Sequence, residues 1–151
     1  MIAISTGMAD INLISKYDID VAGPYSISKA ALNTAVAKYS ALCKKDGILF
    51  MSISPGLVET GHQAQSQRTL TFPDVSGKLS IPRLTITLAT EEQRKGLVDL
   101  AAKFAAYAPH FRGPISTEES VTAVNQVIMN ASIKSGSAGS FVSHFGTQQW
   151  L

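Results

Sequence analysis

One cysteine, Cys43, is all the thiol the sequence carries, which excludes an intrachain disulfide. In its Ala-rich surroundings it reads as a small core residue, and a reducing compartment is expected. Long hydrophobic runs are missing as well. Asn33, Lys38, Lys44 and Lys45 interrupt the longest candidate before it reaches the roughly 18 residues of a membrane span. The first residues lack a basic region followed by a long apolar segment, so no secretory signal is read and a soluble, cytoplasmic protein is expected. Charge is sparse: 16% of residues, thirteen Lys and Arg against eleven Asp and Glu, net +2. With no basic block in that balance, neither nucleic acid nor a membrane surface is an expected partner. The three histidines, His62, His110 and His144, lack metal-ligand spacing, so no metal is expected. No Ser stands in a G-x-S-x-G elbow, which argues against an α/β-hydrolase.

What is present suits a globular domain. Of 151 residues 45% are apolar, enough for one compact unit with a sizeable core and short for two. Met1-Ile-Ala-Ile-Ser5 reads as a buried strand ending near Ser5-Thr6-Gly7. A polar stretch from Met8 to Gly23, broken by Asp10, Asp18 and Asp20, reads as irregular. Gly23-Pro24 then opens an Ala-rich helix that runs to Lys45, where two lysines and Asp46-Gly47 supply the stop. Ile48 to Ser54 is a nearly unbroken apolar run, the pattern of a parallel strand covered on both faces. Strand, helix and strand make a βαβ unit, whose strands end at the same sheet edge.

Residues 57 to 89 hold Gly61, Pro73, Gly77 and Pro82 and predict a long irregular excursion. Two further helices are signalled by capping boxes, Thr90 with Gln93 and Ser116 with Glu119. The first places Leu97, Leu100, Ala101, Phe104 and Ala108 on one face, the second Val121, Val124, Ile128 and Ala131. Pro109 to Pro114 reads as a turn. Gly136 and Gly139 turn into a last short strand, Ser140 to His144. Trp150 is either a tail anchor or an interface residue.

Tyr25 and Lys29 stand four apart at the start of the long helix, hence on one face. An ammonium beside a phenol stabilises the phenolate and makes the pair a candidate for proton transfer. On its own the Y-x-x-x-K spacing arises by chance in about one chain of this size in four. The alternative is a core Tyr and a solvated Lys. What adds weight is convergence. Ser5 and Thr6 close the first strand, Pro55-Gly56 closes the second, and the Tyr25 helix begins at that same edge, where open parallel sheets bind ligands.

In order and spacing, Ile4-Ser-Thr-Gly7, Tyr25-Ser-Ile-Ser-Lys-Ala-Ala-Leu-Asn33 and Ile53-Ser-Pro-Gly-Leu-Val-Glu-Thr60 resemble the second half of short-chain dehydrogenase/reductases. Gly113 to Val121 and Ser143-His-Phe-Gly146 resemble the ending of a fungal, C-factor-like subgroup. The resemblance implies an α/β fold, the C-terminal portion of a doubly wound Rossmann-type parallel sheet whose N-terminal dinucleotide-binding strands are missing. Residues 1–151 would then be a partial NAD(P)-binding domain with a substrate loop at about 61–89. It assigns Tyr25 as general acid/base and Lys29 as the group that lowers its pKa and binds the nicotinamide ribose. Thr6, with Ser5 before it, takes the place of the catalytic serine. Pro55, Gly56, Val58 and Thr60 match the segment that holds the nicotinamide carboxamide. The cofactor implied is NAD or NADP, with NADP favoured, and the substrate a small carbonyl or alcohol. Family members often form dimers and tetramers, so a homo-oligomer is a further expectation.

Three features depart from the family pattern. The Gly-rich T-G-x-x-x-G-x-G turn, which supplies pyrophosphate donors, is not in the sequence, nor is the N-N-A-G segment. The stretch from Thr6 to Tyr25 is longer than usual, as a loop insertion would make it. Two functions follow: an NAD(P)-dependent oxidoreductase represented by an N-terminally truncated chain, or an inactive truncated homologue that at most binds a partner or dimerises.

Overall fold

The structure, a computed structural model, describes residues 1–60, 69–70, 84–85 and 91–151. Three parallel strands form its sheet: β1 (Ile2–Ile4), β2 (Met51–Ser54) and β5 (Phe141–Ser143), in the order β1-β2-β5. Ile2 stands opposite Met51 and Ile4 opposite Ile53, while Ser52 faces Phe141 and Ser54 faces Ser143. The central strand is buried along its length, as its unbroken apolar pattern predicts for a sheet covered on both sides. It is shorter than the run from Ile48, because the strand begins only at Met51 and Ile48 is exposed.

Helix α2 (Gly23–Cys43) joins β1 to β2. Its Ala-rich sequence suits a helix, Pro24 sits in the first turn, where a missing N–H costs nothing, and a 3-10 turn at Lys44–Asp46 leads to Gly47 at φ +73°. Helix α4 (Thr117–Asn130) begins on the expected capping box: Ser116 Oγ accepts from the Glu119 backbone N–H at 3.1 Å, and the Glu119 carboxylate accepts from the Ser116 N–H at 2.8 Å. Of the face expected to be buried on α4, Val121 is instead exposed, and the helix turns Ser120 inward. Helix α3 spans Glu91–Tyr107. The Thr90 half of its expected cap lies outside the described residues. So does most of the expected loop at 61–89, except for β3 (Thr69–Leu70) and β4 (Leu84–Thr85), paired antiparallel with Thr69 opposite Thr85.

The polar stretch from Met8 to Gly23 is not irregular. It holds a 3-10 turn, Gly7–Ala9, and a helix, α1 (Ile11–Tyr17). The aspartates that read as breakers are the helix boundaries: Asp10 Oδ1 accepts from the Asn12 N–H at 2.9 Å, and Asp18 takes the left-handed C-cap at φ 49°. Asp20 then pairs with Lys103 of α3 at 3.0 Å, a contact that holds its carboxyl below the usual carboxylate range.

Leu13 of α1 and Ile19 are buried together with Trp150. Trp150 stacks on Phe141 with ring centroids 4.3 Å apart, its indole N–H donates to Asp10 at 2.8 Å, and its backbone N–H donates to the Tyr107 hydroxyl at 2.8 Å. Of the two roles open to Trp150, the structure shows the anchor: it ties the final residues to α1, α3 and β5. Removing an aromatic so enclosed costs about 3–5 kcal/mol.

Candidate functional site

Because β1 and β2 are parallel, the residues that leave them emerge at one edge. Thr6 follows β1 and starts the 3-10 turn, its Oγ1 accepting from the Met8 N–H at 3.3 Å. Among the described residues the hydroxyl is used only as an acceptor, which leaves its own O–H to donate. Ser5, by contrast, is buried, and its Oγ has no partner among the described residues. Gly7 ties the two strand ends together by donating to Ser54 Oγ at 3.1 Å. It must be glycine, since a Cβ there would lie 2.5 Å from that of Trp150.

Tyr25 lies in the first turns of α2 and is 48% exposed. One turn on, the half-buried Lys29 donates to the Ile4 carbonyl at 2.9 Å, with its nitrogen 6.0 Å from the Tyr25 ring centroid. The backbone of β1 explains this bond. The Met1 carbonyl and the Ser5 N–H both point to β2, so the Ile4 carbonyl points the other way, where the strand has no neighbour among the described residues. The ammonium caps that open acceptor and is thereby held beside Tyr25 at the sheet edge.

At the end of β2, Gly56 takes a left-handed conformation, φ +85°. Ser120 Oγ of α4 donates to the Pro55 carbonyl at 2.8 Å. Ile115 brackets the next residues, donating to the Leu57 carbonyl and accepting from the Glu59 N–H, both at 2.9 Å, so that Val58 and Ile115 form a parallel bridge. Thr60 is exposed.

His144, just past β5, faces Gly56, and a Cβ added to that glycine would lie 2.8 Å from its Cε1. Burial pushes the His144 pKa down from 6.5. A cavity of about 70 Å³ lies beside Thr6, Ser54, Gly56 and Trp150. A second, of about 610 Å³, opens between α4 and the loop ahead of β5 and does not touch Tyr25 or Thr6. Among the described residues no group of three or more His, Cys, Asp or Glu gathers in a metal-binding arrangement, and no helix is long and apolar enough to cross a membrane.

The structure thus brings Thr6, Tyr25, Lys29 and the Pro55–Val58 segment to one sheet edge and turns Ser5 inward. The pairing of Asp10 with Trp150, the Ser120 anchor and the facing of His144 and Gly56 are additions that no motif spacing signals. The only local hint is that Ser116, the cap, stands four residues before Ser120.

Parallel strands joined by helices, with these groups at their carboxyl ends, define a Rossmann-type α/β protein. The fold aligns over 97% of the chain, with a TM-score of 0.57 and 22% identity, to 40% of a chain in the crystal structure of NADPH-bound carbonyl reductase from chicken fatty liver. No family model matches the chain. Across all 151 residues it is 46% identical to short chain dehydrogenase virK of Hypocrea virens and 40% identical to short-chain dehydrogenase/reductase iacC of Pestalotiopsis fici. Over 152 aligned residues it is 41% identical to short-chain dehydrogenase/reductase AacuF of Aspergillus aculeatus. The chain is therefore homologous along its whole length to short-chain dehydrogenase/reductases, and it spans about half the length of these curated relatives, 47–48% of each.

Proposed function

We propose that the chain carries the proton-transfer and nicotinamide side of an NAD(P)-dependent oxidoreductase that interconverts a small carbonyl compound and its alcohol. The observation that supports this best is the Lys29 ammonium fixed on the Ile4 carbonyl beside an open Tyr25 hydroxyl. An ammonium has three donors. One is used on Ile4, and two remain for the hydroxyls of a ribose.

In reduction, Tyr25 gives its phenolic proton to the carbonyl oxygen of the substrate, and in oxidation it takes the proton back. Thr6 donates a hydrogen bond to the same oxygen and fixes its direction, a role its free O–H suits better than the enclosed hydroxyl of Ser5. Lys29 holds its ammonium beside the phenol, 6.0 Å from the ring centroid.

The residues present fit the nicotinamide half of a dinucleotide. Gly56 takes the left-handed φ of +85° that turns the chain at the end of β2, and Pro55, Val58 and Thr60 complete that segment. The bound nicotinamide would supply or accept hydride. A Gly-rich pyrophosphate turn is not in the sequence, and that absence favours a second reading, in which the 151 residues by themselves do not turn over and at most associate with a partner.

The test is substitution in the protein continued by an upstream dinucleotide-binding half. Tyr25→Phe should lower kcat by about 10²–10⁴-fold and leave the cofactor KM nearly unchanged, while Lys29→Met should damage both. Near-normal turnover by Tyr25→Phe would remove Tyr25 from the chemistry.

A further inference from the structure

We propose that His144, together with Ser120, positions the Pro55–Thr60 segment: the His144 ring fills the space a side chain at position 56 would take and holds that backbone in the shape that meets a nicotinamide. The purpose assigned to the clamp rests on the cofactor reading above; the clamp itself rests on geometry.

Three observations carry it. The first is contact. A Cβ on Gly56 would lie 2.8 Å from Cε1 and 2.9 Å from Nδ1 of His144, closer than side-chain carbons approach, so the ring presses directly on the glycine backbone.

The second is that the ring is buried and the turn that carries it is closed. His144 is 7% exposed and packs on Phe145 with ring centroids 3.9 Å apart. The turn that carries it is closed by the Gly146 N–H on the Ser143 carbonyl at 2.9 Å and the Phe145 N–H on Ser143 Oγ at 3.2 Å.

The third is that the ring is there for its shape. Nδ1 is buried with no hydrogen-bond partner among the described residues, and it lies 2.9 Å from where a Gly56 Cβ would stand. Ser120 holds the preceding residue from α4 through the Pro55 carbonyl. The turn is therefore gripped on two sides by elements that follow it in sequence.

The experiment uses the 151-residue chain labelled with ¹⁵N, with nicotinamide mononucleotide at millimolar concentration as the probe, because it carries the nicotinamide and ribose without the adenosine. In the wild-type chain, saturable shifts are expected at Gly56, Leu57 and Lys29. His144→Ala should weaken the response at Gly56 and Leu57 about five-fold or more. His144→Phe, which keeps a planar ring at this position, should stay within about two-fold of wild type. Ser120→Ala deletes only a hydroxyl and gives a second loosened turn should His144→Ala not fold; it too must weaken the response.

Independently of any ligand, Gly56→Ala should lower the thermal midpoint by several degrees, and by clearly less in a His144→Ala background, where the φ of +85° still strains the alanine but the clash with the ring is gone. Equal losses in both backgrounds, or a wild-type response in His144→Ala, would overturn the proposal. A wild-type chain whose Gly56 and Lys29 resonances ignore the mononucleotide contradicts the cofactor reading instead, and the coupling between positions 56 and 144 still decides the clamp.

Discussion

At position 144 burial keeps the imidazole pKa below its ordinary value of 6.5, so the folded chain holds that ring neutral where the unfolded chain begins to protonate it. Stability should then be complete above about 6.5 and decline as pH falls below it, because the unfolded state binds the extra proton. His110 and Arg112 line a cavity of about 200 Å³ together with His144, and the Arg112 guanidinium there works in the same direction. Asp20 and Glu119 are shifted down by Lys103 and Ser116 respectively. Both carboxylates are surface groups, and any loss of stability from them comes only as pH falls through the carboxylate range.

Thermal melts from pH 7.5 to 5 should show the midpoint falling for the wild-type chain and a flatter profile for His144→Phe. That variant also removes a buried nitrogen without a partner and should melt no lower than wild type at pH 7.5. Parallel pH profiles for the two proteins would show that His144 is not the group responsible.

At the scale of elements, β1 is the exposed liability. It pairs with β2 alone among the described residues, and its Ile2 and Ile4 backbone groups point to the open side, where Lys29 covers only the last carbonyl. Met1 and Ile4 are exposed, as are Ile27 and Leu42 on α2. An apolar edge with no charge or proline recruits other strands. The chain should therefore self-associate with rising concentration in size-exclusion chromatography with light scattering, and Ile4→Lys should reduce this. A wild-type chain that stays monomeric throughout would refute the edge argument.

How legible these elements were depended on their signals. The Ala-rich run of α2, the apolar run ending at Ser54 and the box of Ser116 with Glu119 are local patterns, and each marks its element to within about three residues. Helix α1 was hidden because its signature is one capping aspartate and seven residues, among them Leu13, whose burial comes from Trp150 at the far end of the chain. Val121 sat correctly on the helical period, yet no strand or helix among the described residues covers it. At the site, Tyr25, Lys29, Thr6 and Pro55-Gly56 were readable because they cluster near strand ends. His144 was not, since its meaning depends on a glycine 88 positions earlier meeting it in space.

As a whole molecule, the chain places Tyr25 with Lys29, the Thr6 hydroxyl and the Pro55–Val58 backbone at one sheet edge, and its 151 residues contain no Gly-rich turn for a pyrophosphate. It matches short-chain dehydrogenase/reductases from end to end while spanning about half their length. On this account it holds the nicotinamide side of a cofactor site without the side that gives most of the affinity. The most direct measurement is the thermal stability of the 151-residue chain titrated with NADPH and with NADH. A ligand bound at micromolar Kd would raise the midpoint saturably, since stabilisation grows with the ratio of free ligand to Kd. The account predicts no shift at micromolar concentrations of either cofactor; a saturable upward shift there would contradict it.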